Sequence, residues 1–422
     1  MDDAIIVATY AGLVERISLD GARLGRWDAR TARNPADSEP SFAYGPVLGG
    51  DAIWLADMSA VVRRLGAPPL DDIPALSMTW AGQSTRPPFA SSQLRNTIVE
   101  YQGRAVAVDY LRGVFLLDPA TGNGAKLTDL PGDALVAQVD PVLAGDTLLV
   151  ITGRTMQALD LRIGQVRWQA TAPGTTVRPP IVAGDTILWA NTAEGSGSLR
   201  ALDLATGALI WQAPLGNVAQ AGGVAASADT VYTSTPPTAR DLRSGTQRWQ
   251  AAMRGATVGG PALSPDGHTL YVAGINAANS TGMVAALDAA TGAVRWQVDL
   301  EDAVMSPLEG LVVERGLIVV PDLHGKVVVL DAENGNERWR LSPPVDRLWG
   351  VTVERGAVWF MLENARLYGL DLQTGRPVAR LTELELSLNG AGLTQRPTIV
   401  GDHLIFPAGL IVVGLELPKD AP

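Results

Sequence analysis

Three arginine-proline pairs are the residues of this chain whose type and spacing most suggest binding chemistry: Thr85-Arg86-Pro87-Pro88, Val177-Arg178-Pro179-Pro180 and Gln395-Arg396-Pro397-Thr398. Matching positions elsewhere read Asp140-Pro141, Gly260-Pro261 and Ser306-Pro307. A guanidinium offers a planar fork of donors that fits a carboxylate or phosphate. Arg86, Arg178 and Arg396, if gathered at one place, would bind a small anionic ligand or an acidic segment of a protein partner. The competing reading pairs each arginine with a nearby aspartate. The prolines need no ligand to explain them, because proline fits the first residue of a strand.

Catalytic patterns are absent from the sequence. There is no cysteine, which excludes disulfides, thiolate metal sites, cysteine nucleophiles and haem attachment. The three histidines, His268, His324 and His403, fall at hairpin turns without a metal-ligand spacing. No nucleophile elbow, phosphate loop or His-Glu-x-x-His stretch occurs. Aspartates do recur, at Asp20, Asp118, Asp160, Asp203, Asp241, Asp288, Asp331 and Asp371. Their periodicity points to turns before acid-base work. The reading is therefore no catalytic residue, no metal and no cofactor.

The elements that position these residues come from an internal repeat. Leu-Asp-x-x-x-Gly-x-x-x-Trp, or nearly so, appears at Leu159 to Trp168, Leu202 to Trp211, Asp241 to Trp249, Leu287 to Trp296 and Leu330 to Trp339, with copies lacking tryptophan at Asp118 and Asp371. The marker aspartates from Asp118 onward are 38 to 47 residues apart. A period near forty indicates a propeller or a solenoid. Residues 181 to 212 parse as four short strands separated by Gly-Asp, Gly/Ser and Asp-x-x-Thr-Gly turns. No long helical period occurs, so the fold class is all-β.

The signature Ala-Leu-Asp-x-x-Thr-Gly-x-x-x-Trp, intact at Ala201 to Trp211 and Ala286 to Trp296, resembles the PQQ-like (pyrroloquinoline-quinone-type) β-propeller repeat. The resemblance implies four-stranded blades whose tryptophan docks against the next blade, which makes Trp168, Trp211, Trp249, Trp296 and Trp339 structural staples. A tryptophan buries a large apolar area and its indole N–H needs one acceptor. It also implies that the first strands line the axis, which would bring Arg86, Arg178 and Arg396 to one mouth of the channel.

The count expected is eight complete units, two of them degenerate at Pro46 to Trp80 and Pro87 to Leu127. A closing composite of the head, Ala4 to Trp27, and the tail, Pro397 to Leu417, would complete a ring of eight or nine blades. The whole of 1–422 reads as one propeller domain, with degenerate blades and loop insertions in 28–117. Phe42, Trp80 and Phe89 stand among prolines there as a candidate loop interface or as filling for poorly patterned blades.

The net charge of −11 disfavours a nucleic-acid partner, and no membrane-length apolar run occurs. The start, Met1-Asp2-Asp3-Ala4, lacks a signal-peptide pattern. The expectation is a mature or excised cell-envelope or periplasmic domain, with a cytoplasmic protein as the alternative. Two branches of the resembled family bear on function. Its dehydrogenases hold PQQ with calcium, and many carry an adjacent-cysteine disulfide that this chain cannot form. Its non-enzymatic branch, typified by BamB, uses loops as docking surfaces. The functional reading is a non-catalytic protein-interaction scaffold. A ligand-sensing propeller of a membrane receptor or kinase is the first alternative and a PQQ-dependent dehydrogenase the second.

Overall fold

The computed structural model describes the backbone of strands Ala4–Ala8, Leu13–Ser18, Arg23–Asp28, Val47–Gly49, Ala52–Ala56, Val62–Leu65 and Ser77–Gln83. From residue 96 it describes 96–137, 139–176, 178–193, 196–217, 223–253, 256–276, 281–300, 310–321, 326–341, 348–362, 367–381, 397–408 and 411–417. The chain forms two compact units, one of residues 1–75 with 343–346 and one of 76–342 with 347–422.

The larger unit is an eight-bladed propeller of antiparallel sheets. Blade 1 contains Val99–Tyr101, Arg104–Val108, Gly113–Leu117 and Gly124–Asp129. Blade 2 runs from Val142–Ala144 to Gln165–Thr171, blade 3 from Ile181–Ala183 to Leu209–Asn217, and blade 4 from Val224–Ala226 to Gln247–Gln250. Blades 5, 6 and 7 begin at Ala256–Leu263, Val312–Glu314 and Leu348–Glu354 and end at Val294–Asp299, Glu337–Leu341 and Pro377–Leu381. Blade 3 gains a short fifth strand, Thr175–Thr176.

Closure differs from the sequence expectation. The tail supplies Thr398–Val400, His403–Ala408 and Ile411–Glu416, and the fourth strand of blade 8 is Ser77–Gln83, not the head. The head instead forms its own three-stranded sheet, Ala4–Ala8 to Arg23–Asp28, in the smaller unit. Val47–Gly49, Ala52–Ala56 and Val62–Leu65 form another there. The degenerate unit at Pro46 to Trp80 is thus divided, its last strand serving the ring. The physical reason is that a ring leaves the tail one strand short, and the segment just before blade 1 fills that edge without leaving two strands over.

The core lies in the seams between blades. Leu149, Met156 and Ala158 of blade 2 meet Ile187, Trp189 and Leu202 of blade 3. Ile98, Phe115 and Leu117 of blade 1 meet Val400, Ile405 and Val412 of blade 8, sealing the ring. Buried side chains on both faces of each sheet explain why the second and third strands read as continuous apolar runs, such as Leu-Leu-Val-Ile at 148–151. The corner turns follow from the repeat. Asp203 Oδ1 accepts bonds from Thr206 N and Oγ1 at 2.8 and 2.6 Å, and Gly207 takes the positive φ of 70° that ends the turn.

Candidate functional site

At the outer corner of each regular blade, one tryptophan reaches the following blade. Trp168 Nε1 donates to Leu204 O at 3.0 Å, Trp211 to Leu242 O at 2.8 Å and Trp249 to Ala289 O at 3.0 Å. Trp296 donates to Ala332 O at 3.3 Å and Trp339 to Leu372 O at 2.9 Å. Each ring lies against the glycine of that neighbour's corner. A Cβ on Gly245 would meet Trp211 Cδ2 at 2.7 Å, at a φ of +72°, so the corner admits only glycine without rearrangement. Burying such a ring contributes on the order of 4 kcal/mol from area alone, an upper figure. Leu127 occupies the corresponding place against Gly164 in blade 1.

A β-bulge precedes each of these tryptophans. In blade 4, Ala239 pairs with Trp249 and Arg240 with Gln247, which leaves Arg248 as the extra residue. The bulge turns Arg248 towards Asp241 Oδ2 at 2.8 Å. Arg295 reaches Asp288 Oδ2 at 2.8 Å, Arg338 reaches Asp331 Oδ2 at 2.6 Å, and Arg167 bonds buried Asp160 in the same way. These arginines hold Asp241, Asp288 and Asp331 below the usual carboxylate range, helped by the Ser244 and Thr291 hydroxyls at the first two and by the Glu333 and Asn334 backbone N–H groups at Asp331; Asp288 falls to about 2. The recurrent aspartates therefore serve the corners.

The axis is uneven around the ring. On the side of blades 4, 5 and 6, glycines bring the first strands together: a Cβ on Gly260 would lie 3.3 Å from Gly223 Cα and 3.7 Å from Gly310 Cα. On the side of blades 7, 8, 1 and 2 lies a cavity of about 390 Å³, lined among others by Thr97, Glu100, Val142, Thr352, Glu354 and Thr398. Its rim is tied from blade to blade. Thr352 Oγ1 donates to Pro397 O at 2.5 Å, Thr398 Oγ1 to Ile98 O at 2.7 Å, and Thr97 N to Asp140 Oδ1 at 2.8 Å. Burial raises the pKa of Glu354, with Glu314 and Glu100 adding to the rise and Arg355 opposing it.

The structure distributes the sequence-derived site residues unevenly. Arg178 is half-buried before the first strand of blade 3 and is not among the residues lining the cavity. Arg86 and Arg396 lie outside the described residues. Pro141, Pro180 and Pro397 each stand immediately ahead of the first strand of their blade. The charged side chains lining the described cavity are Glu100 and Glu354, and the sequence reading had not singled them out. Their signal is faint, a carboxylate at the inner end of a short apolar strand.

Phe42 and Phe89 also lie outside the described residues. Trp80 is a correction: it is in strand Ser77–Gln83, not on a loop. It pairs with Gly414 ahead of a register shift, the place that Trp211 holds opposite Ala201 and Trp296 opposite Ala286. His268 is exposed beside Asp266 and His403 begins a strand, while His324 is outside the described residues. Among the described residues no group of three or more His, Cys, Asp or Glu is placed to hold a metal.

Comparison with known proteins sets this geometry in a family. The family model described as outer membrane protein assembly factor BamB matches residues 77–238, 112–270 and 280–418. BamB of Moranella endobia (strain PCIT) is 24% identical over 273 residues, which are 60% of this chain and 64% of that protein. The chain thus covers just under two thirds of that relative's length. The serine/threonine-protein kinase AfsK of Streptomyces griseus is 31% identical over 169 residues, 37% of this chain and 20% of the kinase. Among solved structures, BamB from Moraxella catarrhalis superposes with a TM-score of 0.61 at 18% identity, covering 82% of this chain and 98% of that one. A europium-containing methanol dehydrogenase gives 0.59 at 13% identity, covering 79% and 85%. At such identities the likeness establishes the fold alone. With matches extending from residue 77 to residue 418 over the eight blades, the chain belongs to the outer membrane protein assembly factor BamB family of PQQ-type propellers.

Proposed function

We propose that the protein is a non-catalytic scaffold of the cell envelope that docks other proteins on the surface of its ring. The observation carrying this reading is that the family match spans the whole ring, while the ionisable residues that recur in the repeat are engaged in corner turns and bulge arginines. A rigid ring with its recurrent polar groups satisfied leaves the loops and the departures from the repeat to carry recognition. The methanol dehydrogenase shares the fold, and fold does not imply function.

A sensor reading has one specific support, the axial cavity together with the partial match to a kinase. Its ligand would meet Glu100 and Glu354 at the described wall, which favours a cationic group. Crosslinking mass spectrometry on the tagged protein in its native cells separates the two. The scaffold reading expects one or a few protein partners crosslinked reproducibly to the ring. Absence of any specific partner would overturn it and move attention to small ligands of the cavity.

A further inference from the structure

One corner of the ring breaks the pattern that its sister blades keep. In blades 2, 4, 5 and 6 the bulge residue is an arginine, and it occupies the outer carboxylate oxygen of its own blade's aspartate. Blade 3 keeps the bulge: Ala201 pairs with Trp211 and Leu202 with Leu209, leaving Ile210 as the extra residue. It also keeps the aspartate, whose Oδ1 is bonded by Thr206. The guanidinium that would meet Asp203 Oδ2 is replaced by an isoleucine exposed at 47%, beside Leu209 at 48%. Blade 2 presents a further departure on its own corner, where Ile163 takes the place of the repeat's threonine and is 60% exposed.

Blades 1 and 7 also lack the arginine, but neither presents this surface. In blade 1 the extra residue is Leu127, half-buried beside Gly164, and in blade 7 it is Val378, also half-buried. Blade 3 alone among the described blades joins an aspartate without an arginine to two consecutive exposed aliphatic side chains. A solvent-facing isoleucine gains nothing in a monomer, where arginine would make the charge-assisted bond seen in the sister blades. Apolar side chains around an acceptor are what an arginine anchor from outside would bury. Pro214 lies further along the same outer strand and lacks an N–H, so recognition by side chains fits better than addition of a whole strand.

We infer that the corner of blade 3 is a docking site for a protein segment carrying an arginine flanked by apolar side chains, the arginine supplying to Asp203 in trans the contact that blades 2, 4, 5 and 6 make in cis. The site rests on the scaffold reading and gives it a location and a partner chemistry. Ile210→Arg is the decisive variant, because it installs the sister blades' own residue and leaves the fold intact. A displayed library of random twelve-residue peptides is selected on the full-length wild-type protein. Selected peptides are then measured by fluorescence anisotropy against wild type and Ile210→Arg, each with arginine or citrulline.

The expected result is enrichment of arginine next to apolar residues, at least tenfold weaker binding after citrulline replacement, and at least tenfold weaker binding to Ile210→Arg, whose Tm is not below that of wild type. No selected peptides, no arginine preference, or equal binding to Ile210→Arg would overturn the inference. Crosslinking in native cells separates it from the reading beneath it. A partner captured equally by wild type and Ile210→Arg overturns this site and leaves the scaffold standing, whereas no partner for either removes the scaffold itself.

Discussion

Blades 2 to 7 and the arc that closes them through blades 8 and 1 are built from one repeat but joined differently. Five successive seams, from 2/3 to 6/7, each carry a tryptophan bonded to the next blade's corner carbonyl. The seams between blades 1 and 2 and between blades 7 and 8 show other contacts among the described residues. Leu127 sits against Gly164, Tyr101 Oη donates to Asp146 at 2.8 Å, and Arg355 reaches Asp402 at 3.1 Å. The axis follows the same division, packed through glycine beside blades 4 to 6 and open as a cavity beside blades 7, 8, 1 and 2. Where the repeat is most regular the ring is closed around its axis. Where the repeat loses its tryptophan, the axis keeps room for a ligand or a partner's side chain, as expected if local departures from a folding rule mark places used for something else.

The sharpest way to break this comparison is to remove a staple from each arc. Trp211→Ala empties a nearly buried site and orphans the Leu242 carbonyl, and a loss of about 3–5 kcal/mol is expected. Leu127→Ala, at the seam without tryptophan, should cost about 2 kcal/mol, the low end for a leucine. Urea denaturation of both variants checks the order. Equal losses would mean that the two arcs are held equally and that the tryptophan adds nothing special.

How much of this was legible in the sequence depends on how far apart the interacting residues lie. The corner aspartates, glycines and tryptophans were readable because each acts within one blade or on the next, and the repeat shows the same arrangement several times. Closure was not readable in the same way. The outermost strand of blade 8 is more than three hundred residues from its partner Ile411–Glu416, and the head offered an equally strand-like competitor. The cavity was missed for a related reason: four blades contribute its wall, so no single stretch contains it. Of the three arginines in the arginine-proline pairs, only Arg178 is among the described residues, half-buried and apart from the residues that line the cavity. Ile210 was visible in principle. Aligning the residue before each tryptophan gives Arg167, Ile210, Arg248, Arg295 and Arg338, one apolar side chain among four cations.

The smallest expected effect is electrostatic and has opposite signs on the two arcs. Arg295 and then Thr291 depress the pKa of Asp288 to about 2, against roughly 3.9 in an unfolded chain. A depressed folded pKa contributes stability that is fully present above the unfolded value and is lost as the pH falls towards the folded one. The wild-type unfolding midpoint should therefore drop between about pH 4 and pH 2, and Asp288→Asn should drop less over that window. Glu354 beside the cavity behaves in reverse, because burial raises its folded pKa above the ordinary value of about 4.3. Its contribution is present below that value and is lost as the pH rises through the folded pKa, so Glu354→Gln should equal or slightly exceed wild type in stability at pH 7. Thermal midpoints of the two variants from pH 2 to pH 8 measure both signs together. A stabilising charge at Glu354 would mean that the cavity wall already holds a cationic partner from within the chain, and the contrast between the closed and open arcs would then be one of occupancy instead of construction.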